Sequence, residues 1–243
     1  MPKSMLKALI GSILIMATAI SATATEVTSA KDGDKKLIRL GDQYLEIPSR
    51  YLINASEASW WERLLHTIPG LDDNEREVLV QIDARDVAMA VPKYKLHNGV
   101  YKEDIRARLV LISSVEKSRY LDSSQFSEIW SAKGGYKNRI VEKGTRAEMY
   151  RVYRRVEYPF SWEVFTISPD TKKIPKDIFS FWLGHCLRAQ SSLTQSGSIV
   201  NCDSYAIDSE FALNFRVSGK NIHLVPEIRS YLVKLMKDWR VKN

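Results

Sequence analysis

The chain has 243 residues, 27% charged and 44% apolar, with 36 lysines and arginines against 29 aspartates and glutamates and a pI near 9.3. That composition is ordinary for a folded globular protein, and no repeat or low-complexity tract stands out. Eleven glycines leave little material for a glycine-rich phosphate loop.

The N-terminus carries Lys3 and Lys7, an apolar run from Ala8 to Ile20, and then Ala22-Thr23-Ala24. A basic start, an apolar core and a small-x-small site in this order predict a secretory signal peptide over residues 1–24. The alternative is an uncleaved anchor from Ala8 to Thr25, although a membrane span needs ~20 residues to cross ~30 Å of hydrocarbon. Lys3 and Lys7 leave with the leader, so 34 basic residues face 29 acidic ones, a surplus of five. Such a surface favours anionic lipid, nucleic acid or an acidic protein, or serves solubility alone; export argues against nucleic acid.

Beyond a polar stretch from Thr25 to Lys36, "LIRLGDQYLEIPSRYL" predicts two short strands, Leu37–Leu40 and Tyr44–Ile47, around a Gly41-Asp42 turn. "SWWERLLHTI" suggests one or two helical turns from Ser59, with Trp60, Leu64 and Leu65 on one side. "EVLVQIDA" and "IRARLVLISSV" predict strands, the second placing Ile105, Ala107, Leu109 and Leu111 on one face. "SSQFSEIWSA" spaces Phe126, Ile129 and Trp130 as a helix does, behind serines able to cap it. Gly134-Gly135 then breaks the chain, which suggests an N-terminal subdomain over 25–140 and a C-terminal one over 141–243.

In the second half, "AEMYRVYRRVE" and "SWEVFTIS" read as an antiparallel strand pair. "SEFALNFRV" puts Phe211, Leu213, Phe215 and Val217 on one face, opposite Glu210, Asn214 and Arg216. A hairpin turn is expected at Ser218–Asn221, with "IHLV" returning along the sheet. Pro226 opens a helix whose stripe is Ile228, Tyr231, Leu232, Leu235 and Trp239. The expected fold is α+β: antiparallel sheets with helices packed on one face, a C-terminal β-hairpin and then an amphipathic helix.

Cys186 and Cys202 are the only cysteines. In an exported chain an even count predicts a disulfide, here worth ~3 kcal/mol on the chain-entropy view. A metal site would need more soft ligands than the adjacent His185, and a catalytic thiol would be unpaired. His66, His97, His185 and His223 form no closely spaced pair, and no serine sits in a G-x-S-x-G elbow. The acidic stretch Asp72, Asp73, Glu75 and Glu77 has a glutamate where a calcium-binding loop needs glycine. No catalytic residue, metal or cofactor is therefore expected, and the reading is a protein that binds rather than reacts.

Two features suit a protein partner. Trp60 and Trp61 are candidate interface anchors, with a core role the alternative for one of them. "YRVYRRVEY" would set Arg151, Tyr153 and Arg155 on one strand face as a basic–aromatic strip for an acidic partner, or as an ordinary solvated face.

With the early segment "LGDQYLEIPSRYL", the paired cysteines, the run "SEFALNFRVSGKNIHLV" and the closing "PEIRSYLVKLMKDW", the chain resembles periplasmic immunity proteins that accompany type VI secretion phospholipase effectors, in particular the Tle4-type cognate group. The likeness covers the early strand and roughly the last 60 residues. It implies a periplasmic, two-lobed α+β protein of a Gram-negative bacterium. Its partner would be a cognate secreted effector, a phospholipase, neutralised by direct binding; membrane contact would come only through an uncleaved N-terminal segment. The alternatives are an accessory protein that binds envelope lipid or a secretion-machine component, and an exported hydrolase of unrecognised design.

Overall fold

A computed structural model describes residues 34–53, 77–96, 103–113, 116–117, 123–144, 148–170, 173–189 and 199–241. The expected leader, the helix at Ser59, Trp60, Trp61, His66, His97 and Asp72 to Glu75 lie outside these residues. Gly41, at φ +60°, turns β1 (Lys35–Leu40) back into β2 (Gln43–Pro48), as its sequence predicts. A side chain at Gly41 would also meet Leu111 at 2.6 Å, so both backbone and space favour glycine there.

The main sheet holds β3 (Glu77–Ile82), β4 (Ile105–Leu111), β5 (Ile140–Lys143), β6 (Tyr150–Tyr153), β7 (Ser161–Phe165), β8 (Trp182–Ala189), β9 (Ile199–Asp208) and β10 (Phe211–Ser218). Their spatial order is β3-β4-β10-β9-β8-β7-β6-β5, and every neighbouring pair is antiparallel. β4 pairs with β10, Leu109 opposite Leu213, so one sheet joins strands from either side of residue 140. Among the described residues the α-helices are α1 (Ala84–Ala90), α2 (Ser127–Ser131), α3 (Ile178–Phe181) and α4 (Val225–Trp239). The architecture is thus the expected mixed α+β. Among the described residues, no helix is long and apolar enough to cross a membrane.

The last hairpin differs from its expectation. β10 pairs with the preceding β9 along its whole length, from Phe211 opposite Asp208 to Ser218 opposite Asn201, and Ser209 turns at φ +48°. "IHLV" does not return along the sheet: Ile222–Leu224 is a 3-10 turn that runs into α4, and His223 lies in that turn rather than on a strand. The physical reason is burial without alternation. Ile222, Leu224 and Val225 are all inside, and Asn221, fully buried, spends its side-chain amide on Lys95. α2 begins at the end of a preceding 3-10 turn, with Phe126 at the cap position.

α4 starts with proline in its first turn, carries Glu227 there and Lys237 in its last turn, and so suits its own dipole at both ends. It buries Val225, Ile228, Leu232, Met236 and Trp239, with Tyr231 and Leu235 half-covered beside them. This stripe packs against one face of the sheet, with Leu213, Phe215, Val217, Ala206 and Cys202 in the same core. Each such side chain contributes about 1.5–3 kcal/mol on burial. The β1–β2 hairpin meets the end of α4, where Val241 N–H donates to Tyr44 O at 3.3 Å. A second core, of Phe126, Ile129, Trp130, Tyr136, Val152, Phe165, Ile178 and Trp182, holds α2 and α3 against the β5–β8 end.

Candidate functional site

Strand alternation that sends one set of side chains under α4 turns the other set toward an open face. Register aligns four of these into a row across β10, β9, β8 and β7: Arg216 lies opposite Asp203, Asp203 opposite His185, and His185 opposite Glu163. Arg216 grips Asp203 at two points, Nε to Oδ1 at 2.7 Å and Nη2 to Oδ2 at 3.1 Å. His185 Nδ1 meets Glu163 Oε1 at 2.9 Å, and Trp182 Nε1–H donates to Glu163 Oε2 at 2.7 Å. The row alternates in sign, so every charge has an opposite neighbour on the next strand.

The row forms part of the floor of a cleft of about 880 Å³. Arg106, Arg108 and Asn214 extend the floor, and Phe126, Glu128, Tyr136 and Arg154 line it from the helical side. Burial pushes the Tyr136 hydroxyl up to about 12, and Arg154 stands over its ring at 5.1 Å. The hydrogen bond to Glu163 raises His185 above its ordinary value, against the lowering effect of burial. Arg108 reaches Glu77 at 3.6 Å, but Arg106 has no ion-pair partner among the described residues. The cleft therefore combines aromatic walls, a preset row of charges and a cation, Arg106, unpaired among the described residues.

Ser161 Oγ lies 3.2 Å from His185 Nε2, which completes a Ser–His–Glu chain of contacts. The geometry is unsuited to nucleophilic attack. Ser161 is 9% exposed, sits in a strand rather than on a sharp elbow and does not line the cleft. The three groups act as a cross-strand clamp. Among the described residues, no cluster of three His, Cys, Asp or Glu side chains is arranged to hold a metal.

Cys186 and Cys202 are bridged, directly opposite each other on β8 and β9 with Cα atoms 4.0 Å apart, and are 1% and 0% exposed. They face the α4 core, back to back with the charged row. Arg151 and Tyr153 do share a face, as expected, but the strip they were to form with Arg155 does not exist. Tyr153 is 1% exposed, its ring covered by Tyr158 and Trp162 and its hydroxyl donating to Glu142 Oε2 at 3.1 Å. β6 ends at Tyr153, and Arg155 lies beyond it, exposed, in a 3-10 turn. The turn lays Tyr158, and β7 lays Trp162, over Tyr153, which the periodicity of β6 alone cannot anticipate.

The sequence reading missed Glu163, His185, Asp203 and Arg216 as a set. A signal was present: if Cys186 pairs with Cys202 across antiparallel strands, then His185 must face Asp203 on the opposite side of the sheet.

No protein-family model matches the sequence, and no curated protein matches it. Among solved structures the chain is similar to Smlt3025, an immunity protein of the Stenotrophomonas maltophilia type IV secretion system, at 13% identity and a TM-score of 0.45, over 86% of this chain and 94% of that one.

Proposed function

We propose that this is an exported, periplasmic binding protein that neutralises a secreted toxic effector, a type VI secretion phospholipase, by direct contact. The sequence resemblance to immunity proteins of such effectors supports the class. The observation that carries the reading is the open cleft, with aromatic walls, charges already positioned by cross-strand pairing, and Arg106, which has no ion-pair partner among the described residues, to meet an acidic group. Positioned charges lose little freedom on binding and speed encounter with a partner of opposite potential. The cleft would receive an acidic loop of the effector, and Trp60 and Trp61 are further candidate anchors. Arg151 on β6 and Arg155 in the turn that follows it do not line the cleft.

The test is co-expression with the product of the adjacent reading frame, expected to be a lipase with a G-x-S-x-G motif. Its toxicity should fall when this protein is present, and the two should co-purify. Arg106→Glu should weaken the complex by on the order of tenfold or more through loss of attraction and added repulsion. Failure of the wild-type pair to associate would overturn the reading.

A further inference from the structure

The turn joining β6 to β7 leaves an unusual amount of apolar surface in water. Val156 is 90% exposed, Tyr158 43% and Phe160 44%; Leu187, paired with Ser161 at the base of the turn, is 44% exposed. These are half of the large apolar side chains that the fold exposes among the described residues, gathered at one end of the sheet. The turn is fixed in place. Tyr158 packs edge-on against Tyr153 at 5.0 Å and donates its hydroxyl to Glu142 Oε1 at 3.1 Å. Phe160 N–H donates to Glu157 O at 2.7 Å, and Phe160 O accepts from Arg188 N–H at 2.8 Å.

Arginines surround this apolar end. Arg151 and Arg188 each hold a guanidinium 5.7 Å from the centre of the Trp162 ring, and Arg155 directly precedes Val156. None of the three forms an ion pair among the described residues. The carboxylates nearby are already engaged: Glu142 accepts from Tyr153 and Tyr158, and Glu157 is held by Arg154 at 3.2 Å. Glu142 keeps its charge directly opposite Arg151, but Arg151, Arg154, Arg155 and Arg188 outnumber Glu142 and Glu157, so the balance at this end is positive.

We propose that this end of the sheet docks on an anionic membrane surface. Val156, Tyr158 and Phe160 enter the boundary between headgroups and acyl chains, while Arg151, Arg155 and Arg188 meet lipid phosphates. Lipid fits better than a protein pocket because four partly exposed side chains fall well short of the ~800 Å² per partner of a stable protein interface. An interfacial anchor needs only a few apolar groups with cations behind them. The contact is separate from the cleft and does not depend on the effector reading. It is also distinct from the contact that an uncleaved N-terminal segment would make.

The test is co-sedimentation of the purified full chain with phosphatidylglycerol–phosphatidylcholine vesicles and with phosphatidylcholine vesicles, at low and high salt. The wild type should bind the anionic vesicles and release in salt. Val156→Ser with Phe160→Ser should lower the partition coefficient at least tenfold. Arg155→Gln should lower it several-fold. Leu37→Ser, which removes an exposed apolar side chain on β1, should leave it unchanged. All these side chains are exposed, and unaltered thermal unfolding will show that the variants fold. Equal binding by the turn variants would place any lipid contact elsewhere, in the N-terminal segment, and overturn the proposal. Absence of wild-type binding to anionic vesicles, or self-association in solution that the turn substitutions abolish without vesicle binding, would overturn it as well.

Discussion

Asn221 and Lys95 are 126 residues apart, yet the Asn221 amide binds the Lys95 backbone as a neighbouring strand would. Its Oδ1 accepts from Lys95 N–H at 2.9 Å, and its Nδ2 donates to Lys95 O at 3.1 Å. Asn221 is fully buried, so neither group has water as a substitute. Asn221→Ala should cost about 2–3 kcal/mol by stranding two backbone groups. Asn221→Asp should cost at least as much, since a carboxylate oxygen would then face Lys95 O. Urea midpoints of the two variants check this; a loss under about 0.5 kcal/mol for both would contradict the assignment.

Gly184 stands at φ +158° in β8, and a side chain there would meet the backbone oxygen of Asp203 at 2.6 Å. Backbone cannot move aside as a flexible side chain does. Gly184→Ala should therefore push β9 from β8 and cost about 1–3 kcal/mol, the usual range for overpacking. Thermal unfolding gives the loss, and amide shifts concentrated around His185 and Asp203 would locate it.

The Cys186–Cys202 bridge spans 16 positions and is buried at both sulfurs. Replacing both cysteines with alanine should cost about 2–5 kcal/mol, from the restriction on the unfolded chain together with the packing lost at two buried sulfurs. Reductant should reach the native bridge only through unfolding, so thiol release should track the unfolding rate rather than reductant concentration. Trapping free thiols over time, with and without urea, distinguishes the two.

His185 should titrate above its ordinary value of 6.5, because Glu163 binds the protonated ring. A raised folded pKa gives stability that is complete below the unfolded value and is lost as pH rises through the folded one. The stability gap between wild type and Glu163→Gln should thus be widest in mildly acid solution and narrow toward alkaline pH. Ring-proton titration by NMR and urea curves across pH test the direction. A His185 pKa unchanged by Glu163→Gln would remove the clamp.

Much of the fold is legible wherever local pattern and burial agree. The Gly41-Asp42 turn, the alternation of β4 and β10, the disulfide and the stripe of α4 follow from periodicity and turn chemistry. The failures have physical causes. "IHLV" is a short apolar run, and such a run suits a buried turn as well as a strand; the anchoring of Asn221 on Lys95 decides the matter from far away in sequence. Tyr153 reads as a surface aromatic beside arginines until the following turn lays Tyr158 across it. The charged row draws one residue from each of four strands, and only register unites them.

The pairing of β4 with β10 orders events as the chain is made. When β3 and β4 leave the ribosome, the strand that completes their sheet is about a hundred residues from being synthesised. Until then β4 has an unsatisfied edge, and the apolar residues that α4 later covers stay wet. The segment from Phe211 onward, β10 and α4, is thus the closing clasp of the whole sheet. A product that stops before Phe211 would keep most of the strands and still have no way to finish folding.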